Sequence, residues 1–555
     1  MAKELQIRPL SSLAKVFPRK IVGNKCNTLQ AAAGQEISFQ VAYRVTLQSY
    51  SKRPHRVEVT LGDSLKLSPE LFDVKYVPTF LAAYPSRHDA NYISTEGGYF
   101  PDPLVPMKNG GRVVAVAQSW QSVWISLRIP ADHVMCEDKI TVTFISEKTG
   151  EVAAKCTYTL RINAATLPAP KLKFTQWIHY DCIADAHKVK IFSEEHWTLI
   201  EKYITLAAQH GINLVLTPVL TPPLDTAVGG ERPTVQLVDI EYNNGEYSFD
   251  FSKLTRFVKL VKGAGIDDFE INHMFTQWGA TCCPKVVAKV NGKNKKIFGW
   301  NTAATSDKYK TFLSKLIPAL ISHLNSLGVT NEHIIFHVSD EPRVLRHLES
   351  YRDAANILMP LIKGCKHMDA MSDFEFYENG LVDIPVVAIG DPSMRFIEDG
   401  VKELWSYYCC TQSVDVSNRF FAMPSARTRI IGVQMYKYGI KGFLHWGYNF
   451  YYSQFSVRKI NPWLETDADN AFAGGDSFSV YPYENEAIPS LRLKVFANAL
   501  DDIRLLELVE EKIGRENTVA ALEELAGGTL TFSEYPKEEA FFDKLYEFIF
   551  NTLER

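Results

Sequence analysis

The sequence has no long apolar run, no strong charge of either sign and no patterned cysteines, and each absence removes a class of function. No stretch of about 18 consecutive apolar residues occurs, which argues against a membrane span. The N-terminal stretch, Met1 to Arg8, lacks the apolar core of a signal peptide. A formal net charge of -4 supplies no field for nucleic acid or anionic membranes. The nine cysteines are odd in number and dispersed, and the pairs Cys282-Cys283 and Cys409-Cys410 are adjacent. That spacing suits neither a zinc site nor a redox C-x-x-C motif, so reduced thiols in a cytoplasmic protein without a bound metal are expected. No G-x-G-x-x-G or Walker loop is present, so no nucleotide cofactor is expected.

What is present is an ordinary globular composition, 46% hydrophobic and 22% charged over 555 residues, long enough for two or three domains. Up to about residue 165 the pattern is all-β. Ile37–Val41, Val57–Leu61, Val123–Leu127, Ile140–Phe144 and Cys156–Ile162 are short period-two runs between turns, which indicates a β-sandwich. Pro101 to Pro106 reads as an extended loop. Leu167-Pro168-Ala169-Pro170 reads as a stiff linker, giving a sandwich over 1–167 and a second domain over 168–555.

From there strands alternate with helices. Strands are expected at 174–177, 212–219, 269–273, 334–338, 367–371, 386–388, 404–408 and 442–446, with helices between most of them and a helical tail after Pro489. Eight βα-like units fit a (β/α)8 barrel, the fold class predicted for this half. The fourth strand runs Ile334-Ile335-Phe336-His337-Val338-Ser339 into Asp340-Glu341-Pro342. Two acids at the exit of a parallel strand suit acid/base work, with Pro342 holding Glu341 extended. Equally, Ser339, Asp340 and Glu341 suit the cap of a helix N-terminus, and the stretch alone does not decide. His337 reads as a satisfied core histidine.

The other strand ends carry aromatic and polar side chains. Trp177-Ile178-His179-Tyr180-Asp181 ends the first, Trp405-Ser406-Tyr407-Tyr408 the seventh, and His445-Trp446-Gly447-Tyr448-Asn449 the eighth. Aromatic faces stack on pyranose rings while Asp, His and Asn fix hydroxyls, so their clustering points to a carbohydrate partner.

The chain resembles glycoside hydrolase family 123 and its relatives. The resemblance rests on Pro101-Asp102-Pro103-Leu104, Gln176-Trp177 with His179, and above all Ser339-Asp340-Glu341-Pro342. It continues through Trp405 to Tyr408, Gly442 to Trp446 with Tyr448-Asn449, Gly475-Asp476, Val480-Tyr481-Pro482, Pro489 to Arg492, and Asp501-Asp502. It implies a retaining exo-acting N-acetyl-β-galactosaminidase whose substrate supplies its own nucleophile, the 2-acetamido carbonyl. Glu341 is then the general acid and base, and Asp340 holds the acetamido N–H, with Asp340 ionised and Glu341 protonated at the start. Trp177, His179, Asp181, Trp405, Tyr407, His445, Trp446, Tyr448, Asn449 and Asp476 are the implied substrate-binding residues. Two alternatives stand beside this reading. One is a glycosidase with two protein carboxylates, the second drawn from Asp181, Asp369 or Asp373; the other is a carbohydrate-binding relative without activity.

Overall fold

The computed structural model describes residues 5–46, 53–108 and 111–554; Met1 to Glu4, part of the N-terminal stretch discussed above, lie outside them. The alternating runs of the first part form two five-stranded sheets. One orders Leu5–Ser11, Glu36–Val45, Gln121–Arg128, Pro69–Thr79 and Gly98–Pro106; the other orders Thr28–Ala33, Val152–Thr166, Cys136–Ser146, Pro54–Leu61 and Arg112–Val114. Phe39, Val41 and Ile125 from the first sheet meet Ile140, Val142 and Leu160 from the second in one core. Because side chains alternate across a strand, Trp124 points the other way from Val123 and Ile125, and packs with Phe72, Val74 and Leu104 in the core shared with the second half of the chain. The first sheet is therefore covered on both faces.

Pro101 to Pro106 is not a loop. It lies in the strand Gly98–Pro106, antiparallel to Pro69–Thr79. Proline lacks the ladder donor, and the strand tolerates three because it is the edge of its sheet.

The second half is an eight-stranded parallel barrel: β1 (Lys173–Gln176), β2 (Leu214–Thr217), β3 (Asp268–Ile271), β4 (Ile334–Phe336), β5 (Lys366–Ala370), β6 (Ile384–Ala388), β7 (Trp405–Tyr407) and β8 (Gly442–His445). Ladders run continuously from β2 through β3 to β8 and on to β1. The remaining seam is closed by Asn213. Its side chain accepts from the Phe174 N–H at 2.8 Å and donates to the Leu172 carbonyl at 2.9 Å. Strand alternation sorts the core: Leu214, Leu216 and Ile335 fill the barrel, while Val215, Ile334 and Phe336 face the surrounding helices. The helix Glu194–Gln209 is capped by Ser193, whose hydroxyl accepts from the His196 N–H.

Two hairpins are additions to the expected elements, Asp239–Asn243 with Glu246–Asp250 and Val286–Val290 with Lys293–Phe298; they join into a four-stranded sheet. Their turns, Asn244-Gly245 and Asn291-Gly292, hold both central residues at positive φ, the conformation an Asn-Gly pair favours. The Asn-Gly pairs are the local signal for both hairpins, set among Pro- and Gly-rich stretches that otherwise look like insertions between barrel strands.

Candidate active site

The floor of the barrel mouth is a buried charge network. Alternation on β3 turns Phe269 and Ile271 outward and Glu270 inward, where Trp177 Nε1 and the Thr175 hydroxyl donate to it at 2.5 and 2.7 Å. His337, just past β4, donates Nε2–H to Glu270 at 2.7 Å and Nδ1–H to Asp369 of β5 at 2.8 Å. Burial alone would strip its proton, but the hydrogen bonds to Asp369 and Glu270 outweigh it and raise the imidazolium to about 9. His337 is thus satisfied in the core, as expected, and it carries charge. Burial works against the Asp369 carboxylate too, yet hydrogen bonds from His337 and His367 hold it well below the carboxylate range. His273 stacks on His337 at 4.2 Å and stays neutral, through burial and the neighbouring cation. Ligand-type atoms of His273, His337 and Asp369 lie within 4.8 Å of one another. Both His337 nitrogens are engaged by carboxylates, so this donor set is committed to holding a proton rather than an ion.

Asp369 also carries the segment that leaves β4. Its Oδ2 accepts from the Val338 and Ser339 N–H groups, both at 3.1 Å, and from the Tyr351 hydroxyl at 2.5 Å. On the other side the Trp278 N–H donates to the Asp340 carbonyl at 2.9 Å, and the Ser339 hydroxyl to the Thr276 carbonyl at 2.8 Å. The Glu341 N–H reaches the Ala370 carbonyl at 3.0 Å. Glu341 is not extended: its φ is 44°, in the left-handed region. Proline disfavours a helical predecessor but does not dictate an extended one, and here the pinned amide and carbonyl on either side decide. A non-glycine residue held so costs about 1–3 kcal/mol and marks positions the surroundings over-determine. The helix-capping reading fails. The helix Val344–Leu358 begins beyond all three residues, and Asp373 accepts from the Val344 N–H at 2.7 Å.

Desolvation, then the Glu341 and Asp369 charges, push the Asp340 carboxyl well above its ordinary value. This push on Asp340 runs against its expected ionised start. The Tyr407 hydroxyl donates to Glu341 Oε1 at 2.7 Å. Across the mouth Trp446, half-buried, donates Nε1–H to Asp476 Oδ2 at 3.0 Å. Burial raises Asp476 to about 7, with Arg419, the Trp446 bond and Arg492 opposing. Its Oδ1 is buried without a hydrogen-bond partner, and the His445 ring lies 3.7 Å away. Asp225 is raised to about 6 by burial, and its charge is felt at Asp340. Asp340, Glu341, Tyr407, Trp446 and Asp476 are thus brought together at one mouth.

Other residues expected there are used elsewhere. Asp181 is fully paired with Arg232, at 2.9 Å to Nε and 2.6 Å to a terminal nitrogen. His179 is wedged between Arg232 and the Trp446 carbonyl and kept neutral by burial and that guanidinium. Asn449 clamps the His179 backbone from both sides, at 2.8 and 3.0 Å. Tyr448 donates to the Tyr203 carbonyl on a helix outside the barrel. Trp177 is buried beneath the mouth, on Glu270. Trp405 begins β7 rather than ending it, so it lies at the far end of the barrel, where its ring takes the space a side chain at residue 442 would need. His445 accepts the Gly447 N–H and is buried neutral beside Asp476. Sequence reasoning missed Glu270, Asp225, Arg232 and Arg419. Glu270 was open to discovery as an acid between two apolar residues of a buried strand; Arg232 and Arg419 lie in loops with no local signal.

The family model described as the glycoside hydrolase 123 catalytic domain matches residues 177–509, more than half of the chain. No curated protein matches. Among solved structures, a family 123 glycoside hydrolase from Clostridium perfringens, analysed for glycolipid glycan hydrolysis, is 15% identical with a TM-score of 0.72, over 99% of this chain and 98% of that one. A family 2 glycosyl hydrolase from Bacteroides cellulosilyticus is 9% identical with a TM-score of 0.28, over 82% of this chain and 48% of that one, a likeness that carries no argument. The family match spans the mouth residues from Trp177 to Asp476, and the fold agrees from end to end: this chain is a glycoside hydrolase of family 123.

Proposed function

We propose that the enzyme releases terminal N-acetyl-β-galactosamine from glycans with retention, using the substrate's acetamido group as nucleophile. The observation that carries this reading is the adjacent pair Asp340-Glu341, one acid held by Tyr407 and the other free to meet an N–H, with no third carboxylate suited to attack among the described residues. The candidates for a protein nucleophile are occupied: Asp181 by Arg232, Asp369 by His337 and two backbone amides, Asp373 by the Val344 N–H. Asp225 accepts from the Phe455 N–H and Asp476 from the Trp446 ring N–H, each at 3.0 Å.

In this mechanism the acetamido N–H replaces the solvent lost around Asp340 and draws it into the ionised form. The proton then belongs on Glu341, one of whose oxygens Tyr407 already holds. Glu341 donates to the glycosidic oxygen as the C1–O bond breaks and the acetamido oxygen bonds C1. It then takes a proton from the water that opens the oxazoline. Asp476 and Trp446 are the proposed contacts to the sugar's far side. The nine unpaired cysteines support a reducing, cytoplasmic setting; no helix among the described residues is long and apolar enough to cross a membrane.

The test compares aryl β-glycosides of N-acetylgalactosamine, N-acetylglucosamine and the plain 2-hydroxy sugar, with the product anomer followed by NMR. Fast, retaining cleavage of the first is expected and negligible cleavage of the last. Equal rates on the 2-hydroxy sugar, or a glycosyl ester trapped on any Asp or Glu by a 2-fluoro sugar, sink the proposal.

A further inference from the structure

The barrel segment Thr466 to Phe478, which carries Asp476, is held from two sides: by the barrel, where Arg419 donates to the Asp476 carbonyl at 2.7 Å and the Phe421 N–H to the Gly474 carbonyl at 2.8 Å, and by the other half of the molecule. Asp102, buried on the edge strand Gly98–Pro106, accepts from Arg492 Nε at 2.8 Å, from its terminal nitrogen at 2.9 Å, and from the Tyr481 hydroxyl at 2.5 Å. The same guanidinium donates to the Gly475 carbonyl at 2.6 Å and the Phe478 carbonyl at 2.9 Å, bracketing Asp476 on both sides. A second clamp runs the other way. Buried Asp467 accepts from the Thr79 hydroxyl and from the Phe80 and Leu81 N–H groups, at 3.2, 2.6 and 2.9 Å. The Gly474 N–H returns to the Leu81 carbonyl at 2.9 Å, and a Cβ at Gly474 would collide with the Thr79 hydroxyl. Tyr84 closes the set, its hydroxyl accepting from the Ala473 N–H at 3.1 Å and donating to the Ala471 carbonyl at 3.3 Å.

By contrast, the contacts that pin the segment His337 to Glu341 come from barrel residues: Met274 to Trp278 on one side, Asp369 and Ala370 on the other. We infer that the N-terminal sandwich is a working part of the glycan site, with Asp102 and Tyr84 as positioning residues that set where Asp476 meets the sugar. The inference rests on the proposed role of Asp476 in sugar recognition. Nothing in it touches the bond-breaking step, so the sandwich governs affinity and leaves turnover to the barrel.

Asp102→Asn and Tyr84→Phe test it against a matched control, Glu36→Gln. Glu36 also joins the sandwich to the helix that bears Arg492, through Lys494 at 2.5 Å, but does not touch the Asp476 segment. Calorimetry with the thiazoline of N-acetylgalactosamine should show affinity falling roughly tenfold to a hundredfold in Asp102→Asn, the scale of a small misplacement. A smaller fall is expected in Tyr84→Phe, and a change within about twofold in Glu36→Gln. With aryl glycoside, KM should rise while kcat holds. Amide exchange at Ala473 and Gly474 should quicken in both test variants and not in the control. Equal losses in Asp102→Asn and Glu36→Gln, or unchanged affinity with quickened exchange, overturn the inference. Should Asp102→Asn not fold, Tyr84→Phe carries the same two readouts. If the wild type itself binds no thiazoline, the sugar reading fails and this role for Asp476 falls with it, while the exchange comparison still decides whether the sandwich holds the segment.

Discussion

The two sides of the barrel mouth are built by different means. The side at β3 to β5, with Asp340 and Glu341, stands on a network of Glu270, His337 and Asp369 that the barrel makes from its own strands. The side at β7 and β8, with Trp446 and Asp476, stands on barrel contacts such as Arg419 and in addition on residues hundreds of positions earlier, Thr79 directly and Asp102 through Arg492. Neighbouring strands deliver acids to one place with little freedom, which suits groups that must meet a bond within a fraction of an ångström. Long loops latched to a second sheet can change partner or shape without disturbing those acids, which suits recognition. On the proposed roles, chemistry and selectivity are separable in this molecule, and several experiments press on that division.

The largest effect is expected at Glu341. Glu341→Gln keeps shape and removes the proton, so kcat should fall ~10²–10⁴-fold on alkyl or sugar leaving groups and less on activated aryl ones. Full rates on both classes would remove Glu341 from the chemistry. Next comes the floor. Asp369→Asn leaves a buried imidazolium with one partner fewer and two backbone amides weakly held, and breaking such a pair costs roughly 3–5 kcal/mol. Chemical denaturation measures it; a loss under about 1 kcal/mol would mean that the network is not what supports the acid pair.

The same network predicts a pH dependence. The His337 pKa rises from 6.5 to about 9 on folding, so its stabilisation is complete below pH 6.5 and is lost as pH climbs through 9. Denaturation midpoints should decline across that window by up to roughly 3 kcal/mol in stability. A flat profile would show that His337 is neutral. The smallest effect tests the recognition side. Trp446→Phe keeps a ring and loses the N–H to Asp476, a charged-acceptor hydrogen bond worth about 1.5–3 kcal/mol at most. Thiazoline affinity should weaken about tenfold with kcat near wild type; a fall in kcat instead would collapse the distinction between the two sides.

Several features are legible in the amino-acid order alone. Period-two runs announce the sandwich, and the apolar stripe on Phe312, Leu313, Leu316, Ile317, Leu320, Ile321 and Leu324 announces one barrel helix; all are buried but Ile321, which is half-buried. The acid pair stands out because it ends a β-like run. Hidden from the sequence is which polar residues face the mouth. His179, Asp181, Tyr448 and Asn449 read like sugar ligands, yet each is spent on a partner that lies far along the chain, such as Arg232 or Tyr203. Polar side chains at a strand end look alike whether they bind a ligand or satisfy a neighbour.

Local pattern determined the elements, their order and the position of the two acids, because backbone alternation and apolar periodicity act over a few residues. Tertiary structure alone decided the rest. The left-handed turn at Glu341 needs the amide of Trp278 on one side and the carbonyl of Ala370 on the other. The charge on His337 needs two carboxylates from other strands, since burial by itself would have removed it. The seat of Asp476 needs Arg492 and Asp102, whose pairing repays the desolvation of both only when the sandwich lies against the barrel.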